Sequence, residues 1–165
     1  MTDELFEQIY NRVLHFLSFR PRSEKEIKDY LSRKLVKKKI TDEQLIQSIK
    51  EKVICLLKDQ KLINDSDFAS WWVDQRVTFK PKGKKAIRFE LLKKGIDKEI
   101  IEQVLLTISS QQLTILAKKL VEKKIRLYQH LPVIKQKQKL FSFLFRRGFD
   151  FNLSKTVIDE MIKKE

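Results

Sequence analysis

The feature that most constrains this chain is one apolar pattern that occurs three times. A polar residue is followed by two spacers, two aliphatics, two spacers and another aliphatic. The copies read Asp42-x-x-Leu45-Ile46-x-x-Ile49, Asp97-x-x-Ile100-Ile101-x-x-Val104 and Ser154-x-x-Val157-Ile158-x-x-Met161. Asp and Ser suit a helix start, because a side-chain oxygen there accepts from a free N–H of the first turn. Spacings of three and four then place the aliphatics on one helix face. Upstream of each copy lies another helical segment with anchors at i and i+4: Ile27 and Leu31, Ile87 and Leu91, Leu140 and Leu144. Ser23-x-x-Glu26 opens the first of these as a capping box. The last two close on glycine, in Lys93-Lys94-Gly95-Ile96-Asp97 and Arg146-Arg147-Gly148-Phe149-Asp150. Glycine there takes the left-handed conformation that ends a helix, and the basic residues complement its dipole.

A further helix precedes each pair, over about 3–18, 65–78 and 110–129. The junctions Phe19-Arg20-Pro21-Arg22-Ser23 and Phe79-Lys80-Pro81-Lys82-Gly83 match. Pro81 and Pro132 stop helices, and Thr78 to Gly83 is the best hinge candidate. The expected fold is therefore all-α, with three tandem three-helix repeats at 1–60, 61–108 and 109–165. Stacked repeats bury faces that one repeat leaves open, which predicts an elongated, curved helical array. Three Gly and three Pro in 165 residues agree with a chain of helices.

Charge bounds the function. Thirty-six Lys and Arg against twenty-two Asp and Glu leave +14, an excess that attracts nucleic acid, an acidic protein face or anionic lipid. The excess is local. Between Arg76 and Lys94, eight cations (Arg76, Lys80, Lys82, Lys84, Lys85, Arg88, Lys93, Lys94) face one acid, Glu90. Between Lys118 and Arg147, ten cations face one acid, Glu122; they include Lys119, Lys123, Lys124, Arg126, Lys135, Lys139, Arg146 and Arg147. The first 35 residues are nearly balanced. Lys84, Lys85 and Arg88 lie within one turn beside the Ile87/Leu91 stripe, and Lys135 and Lys139 form an i, i+4 row. Such like-charged neighbours repel by a few tenths of a kcal/mol per pair, roughly, until an anion covers them. These cations are the expected partner-binding or DNA-binding residues.

Among the aromatics, Phe68 and Trp72 fall on the line that leads to Arg76 and are expected in the core, whereas Trp71 lies about 100° round and is the candidate for stacking on bases. Leu140, Phe141, Leu144 and Phe145 are expected to form one broad core stripe, with Phe143 outside it. Cys55 is expected to be a small buried hydrophobe, and a single cysteine fits a reducing compartment. His15 and His130 are isolated. No Gly-rich phosphate loop, nucleophile motif or metal-ligand spacing occurs, so neither catalysis nor a cofactor or metal is expected. No apolar run approaches the roughly 20 residues needed to span a bilayer. The acidic Thr2-Asp3-Glu4 is unlike a secretory signal. These features predict a cytoplasmic monomer that does not engage membranes.

The punctuation residues resemble those of the RecX family, modulators of the RecA recombinase. The matching pieces are Arg22-Ser23-x-x-Glu26-Ile27, Asn64-Asp65-x-x-Phe68-Ala69, Arg76, Gly83 leading to Leu91-x-Lys93-Lys94-Gly95-Ile96, and Arg146-Arg147-Gly148-Phe149. The resemblance runs from about Leu14 to Ile162. It departs at Asn64-Asp65, where two acids are usual, and at Trp71-Trp72, where a single tyrosine is usual. The resemblance implies a protein that binds RecA and its filament on single-stranded DNA in the filament's helical groove. It implies limits on filament extension, ATP hydrolysis, strand exchange and co-protease activity, and so a place in DNA repair, homologous recombination and the SOS response. Double-stranded DNA is a secondary expected ligand. Charge and periodicity alone also admit a general nucleic-acid-binding helical protein, a helix-turn-helix-like repressor or a scaffold that contacts only protein.

Overall fold

The computed structural model describes residues 2–163, among which there are nine helices and no strand. In order they are α1 (Thr2–Ser18), α2 (Glu24–Lys37), α3 (Glu43–Asp59), α4 (Asp65–Thr78), α5 (Lys84–Lys93), α6 (Lys98–Leu106), α7 (Ser110–Ile125), α8 (Val133–Arg146) and α9 (Phe151–Ile162). They form three successive sets of three. The chain folds as two compact units. The first runs to Trp71 and takes in Lys94–Ile96; the second holds Trp72–Lys93 and the chain from Asp97 onward.

Most helix starts are capped as side-chain chemistry favours, although Asp97, expected to cap α6, stands at its N-cap without a side-chain bond. Ser23 accepts from the Glu26 N–H at 3.2 Å while the Glu26 carboxylate accepts from the Ser23 N–H at 3.4 Å. Asp42 accepts from Leu45, and Asn64 from Ser66 and Asp67. Ser109 and Gln112 make a second reciprocal capping box. The third copy of the apolar pattern departs from expectation at its polar residue. Asp150 is the cap of α9, accepting from Asn152 at 2.9 Å. Ser154 lies one turn inside the helix, buried, and its hydroxyl has no hydrogen-bond partner among the described residues. The aliphatic stripe holds there, with Val157 and Ile158 buried, but it extends backward past the residue read as its start. α7 ends at Ile125 rather than near 129, because residues beyond it tighten into turns with bonds from Leu127 to Lys124 and Tyr128 to Ile125.

The i, i+4 anchors carry the packing. Ile27, Leu31, Ile87, Leu91, Leu140 and Leu144 are all fully buried. Each contributes about 1.5–3 kcal/mol through removal from water. Phe68 is fully buried and Trp72 half-buried. Two expectations fail beside them. Cys55 is exposed, because α3 turns Val53, Ile54 and Leu57 inward and leaves the thiol outside, 3.7 Å from the Asp59 carboxylate. Phe145 is 61% exposed, because Leu140 and Leu144 fill the inner face of α8. Phe143, expected outside the stripe, is half-buried against the third repeat's core.

Gly95 and Gly148 both adopt positive φ, +76° and +80°, as helix-closing glycines do. Lys39 occupies the same place after α2, with φ 59° and an exposed side chain. Both glycine turns are also seats for another helix start. In the first unit the Ser23 hydroxyl donates to the Lys94 carbonyl at 2.8 Å. In the second unit the Gly83 N–H donates to the Arg147 carbonyl at 2.9 Å. Arg147 donates to the Pro81 carbonyl, and Lys82 pairs with Glu90. The stretch from Thr78 to Gly83, read as a hinge, is thus tied at three successive points.

Candidate nucleic-acid and partner interface

The cations picked out by sequence fall into two groups once their neighbours are visible. The first group is held by acids. On α5, Glu90 accepts from the Trp72 indole N–H at 2.9 Å, from Arg76 at 2.6 Å and from Lys82. The Arg76 guanidinium also lies 4.3 Å from the centre of the Trp72 ring. Burial pushes the Glu90 carboxyl up, but these three donors outweigh it and hold it below the usual range. Arg88 makes a two-pronged pair with Glu102, both bonds at 2.8 Å. Lys85 reaches only to 3.9 Å from Asp150.

The first unit has a comparable centre at Glu26. Arg20 binds it through two nitrogens at 3.0 and 2.8 Å, and Lys94 at 2.5 Å. Burial raises this carboxyl, and the bonds to Arg20 and Lys94 overcome that and lower it to about 2. Trp71, the stacking candidate, is half-buried in the same unit, with Phe68 at 5.8 Å and the Arg20 guanidinium 5.8 Å from its ring. Arg76, Lys82, Arg88 and Lys94 therefore have structural partners that sequence spacing did not reveal. The missed acceptors were Glu90, Glu102 and, beyond its capping role, Glu26. Glu90 was visible as the lone acid in its stretch, and a lone acid among eight cations draws the nearest of them.

The second group makes no ion pair among the described residues. Lys80 is exposed in the turn after α4, and Lys84 is half-buried at the start of α5. Lys93 lies over the Phe89 ring at 4.4 Å. The rest belong to the third repeat. Lys119, Lys123, Arg126, Lys135, Lys139 and Arg146 are exposed, on α7, the turn after it and α8. Lys139 lies 5.7 Å from the Tyr128 ring. Lys124 and Arg147 approach the Phe143 ring at 5.6 and 5.0 Å, Arg147 also holding Pro81. Lys118 and Lys137 are neutralised by Glu160 and Asp159. Among the cations picked out by sequence, those free of an ion pair thus lie more on α7, the turn after it and α8 than on the α4–α5 stretch that looked its equal. The end of α2 and the turn after it add Arg33, Lys34, Lys37, Lys38 and Lys39, also without an acid partner among the described residues. Cations without internal partners keep their full attraction for an external anion.

Among the described residues no set of three His, Cys, Asp or Glu is placed to hold a metal. No single helix there is long and apolar enough to cross a membrane.

Three successive three-helix sets, the third carrying cations that make no ion pair among the described residues, define an all-helical repeat protein. The chain belongs to the RecX family of regulatory proteins. Residues 10–44, 64–105 and 116–158 match that family's first, second and third three-helix domains in order. The crystal structure of RecX from Lactobacillus salivarius superposes with a TM-score of 0.76 at 30% identity, covering 94% of this chain and 95% of that one. Regulatory protein RecX of Bacillus subtilis is 36% identical over 152 residues, and that of Oceanobacillus iheyensis 32% over 158. The chain spans about half the length of these curated relatives, 54% and 55% respectively.

Proposed function

We propose that this protein binds the filament that the RecA recombinase forms on single-stranded DNA, and limits its extension, ATP hydrolysis and strand exchange. It does so by occupying surface and not by chemistry of its own. Family membership supports the partner, and the unneutralised cations of the third repeat support the mode. The row of cations without an ion pair on α7, the turn after it and α8 is the observation that carries the reading. The contact set proposed is Lys80, Lys84, Lys85, Lys93, Lys119, Lys123, Lys124, Arg126, Lys135, Lys139, Arg146 and Arg147. Arg76, Lys82, Arg88 and Lys94 contribute through the fold that their acid partners hold, and Trp71 borders on bases or protein. The repeats proposed as the working modules have edges near 60 and 108.

The protein is expected to work as a monomer in the cytoplasm. It holds single-stranded DNA more readily than duplex, because a recombinase filament presents the single strand.

The test is the DNA-dependent ATPase of RecA. Inhibition at amounts below one protein per recombinase subunit is the expected result. No inhibition at equimolar protein overturns the reading, and sequence-selective binding to duplex DNA in its place favours a repressor.

A further inference from the structure

We infer that the outer face of α8, with the start of α9, is a contact site for unpaired bases of single-stranded nucleic acid. The inference rests on the preceding reading for its class of partner, and on separate geometry for its location. Phe145 is 61% exposed and Phe151 55% exposed, both in the repeat that carries the unpaired cations of α7 and α8. The rings of Phe141 and Phe145 lie 6.4 Å apart and only 19° from parallel, and Phe151 meets Phe141 edge-on at 4.9 Å. They form one aromatic cluster and are not scattered apolar side chains.

An open cleft of about 620 Å³ runs along this cluster, bordered by Tyr128, Lys139 and Arg146. A second, of about 640 Å³, adjoins it through Gln138, Phe141 and Ser142 and is bordered by Lys155. Lys139 and Arg146 have no acidic partner among the described residues, and Lys155 has Asp159 within electrostatic reach. The one acid beside the second cleft, Asp159, is occupied by Lys137 at 2.6 Å.

Charge and shape together select the occupant. A rim of cations attracts an anion and so favours a charged strand over a neutral apolar segment. Exposed phenyl rings reach only bases that are already unstacked, which excludes the interior of a duplex. Gln138 and Ser142, exposed in the lining of both clefts, would lose water without compensation beneath an apolar helix, whereas base edges offer donors and acceptors. A single strand supplies phosphates for Lys139 and Arg146 and flat faces for Phe145 and Phe151. Base–aromatic stacking of this kind is worth ~1–3 kcal/mol per base.

The test compares a fluorescent oligothymidylate with an abasic oligomer of equal length, by anisotropy at one stated salt. The wild-type chain is expected to bind the oligothymidylate about tenfold more tightly or better, a factor within the range for one stacked base. The double variant Phe145→Ala, Phe151→Ala should bind both oligomers equally, with its melting temperature retained because both side chains are exposed. It should also keep the wild-type salt dependence, which the phosphate contacts set. Equal wild-type binding of the two oligomers overturns the inference, as does an unaltered double variant. A variant that loses only filament binding assigns the face to an acidic protein partner and likewise overturns it. ATPase inhibition by the wild type reports separately on the proposed function.

Discussion

Gly83 and Gly148 meet backbone to backbone. The Gly83 N–H donates to the carbonyl of the residue before Gly148, and a Cβ added to Gly83 would overlap the Gly148 carbonyl itself. Gly148 carries a second constraint, its φ of +80°. Gly83→Ala is expected to destabilise the second unit by about 2–3 kcal/mol, since backbone on that side cannot yield as a side chain would. Gly148→Ala should cost as much or more. Urea unfolding measures both, and a loss under about 0.5 kcal/mol, the scale of ordinary surface changes, would refute the backbone contact.

Lys39 offers the converse. It holds the left-handed conformation of the other two turns without glycine, and is exposed. A left-handed residue with a Cβ costs roughly 1–2 kcal/mol, part of which glycine returns as lost chain entropy. Lys39→Gly should therefore stabilise the protein by about 0.5–1 kcal/mol, read as a rise in the unfolding midpoint. A lower midpoint would contradict this account of the turn.

Glu26 predicts a pH dependence. Its carboxyl is lowered in the folded state to about 2 from an ordinary 4.5. A folded-state value below the unfolded one means that the charged form stabilises the fold. That contribution is fully present above about pH 4.5 and is lost as pH falls toward 2. Unfolding followed between these limits should show stability dropping with acid, and Glu26→Gln should flatten the drop while costing about 1–3 kcal/mol at neutral pH. Identical pH profiles for the two proteins would sink the assignment.

The repeats, most helix limits and the buried anchors were legible because they rest on local chemistry: caps, helical periodicity and closing glycines. Asp65–Thr78 matches the expected 65–78, and Leu140 and Leu144 are buried as expected. The partner of a charge is not local. Arg76 finds Glu90 fourteen positions on, and Lys94 finds Glu26 across 68 positions, so spacing could not sort bound cations from free ones. Phe145 misled for a related reason. Its i, i+4 relation to Phe141 is real, but Leu140 and Leu144 already fill the inner face of α8, leaving Phe145 outside while Phe141 stays half-buried against the core.

That sorting makes two groups of substitutions behave oppositely. Glu90→Gln removes the negative charge shared by Trp72, Arg76 and Lys82 and replaces one of its two acceptor oxygens with a donor, and should cost about 2–3 kcal/mol. Lys119→Glu or Lys123→Glu, exposed and unpaired, should shift stability by less than about 0.5 kcal/mol. Thermal unfolding of the three variants side by side checks the contrast, and equal losses would erase it.

The most direct measurement is co-sedimentation of Lys119→Glu/Lys123→Glu/Lys135→Glu with preformed RecA filaments on single-stranded DNA, over a series of salt concentrations. Free charge on α7 and α8 predicts about tenfold weaker binding or more, a shallower dependence on salt, and an unchanged melting temperature. Wild-type affinity with the wild-type salt slope would show that these cations do not meet the filament.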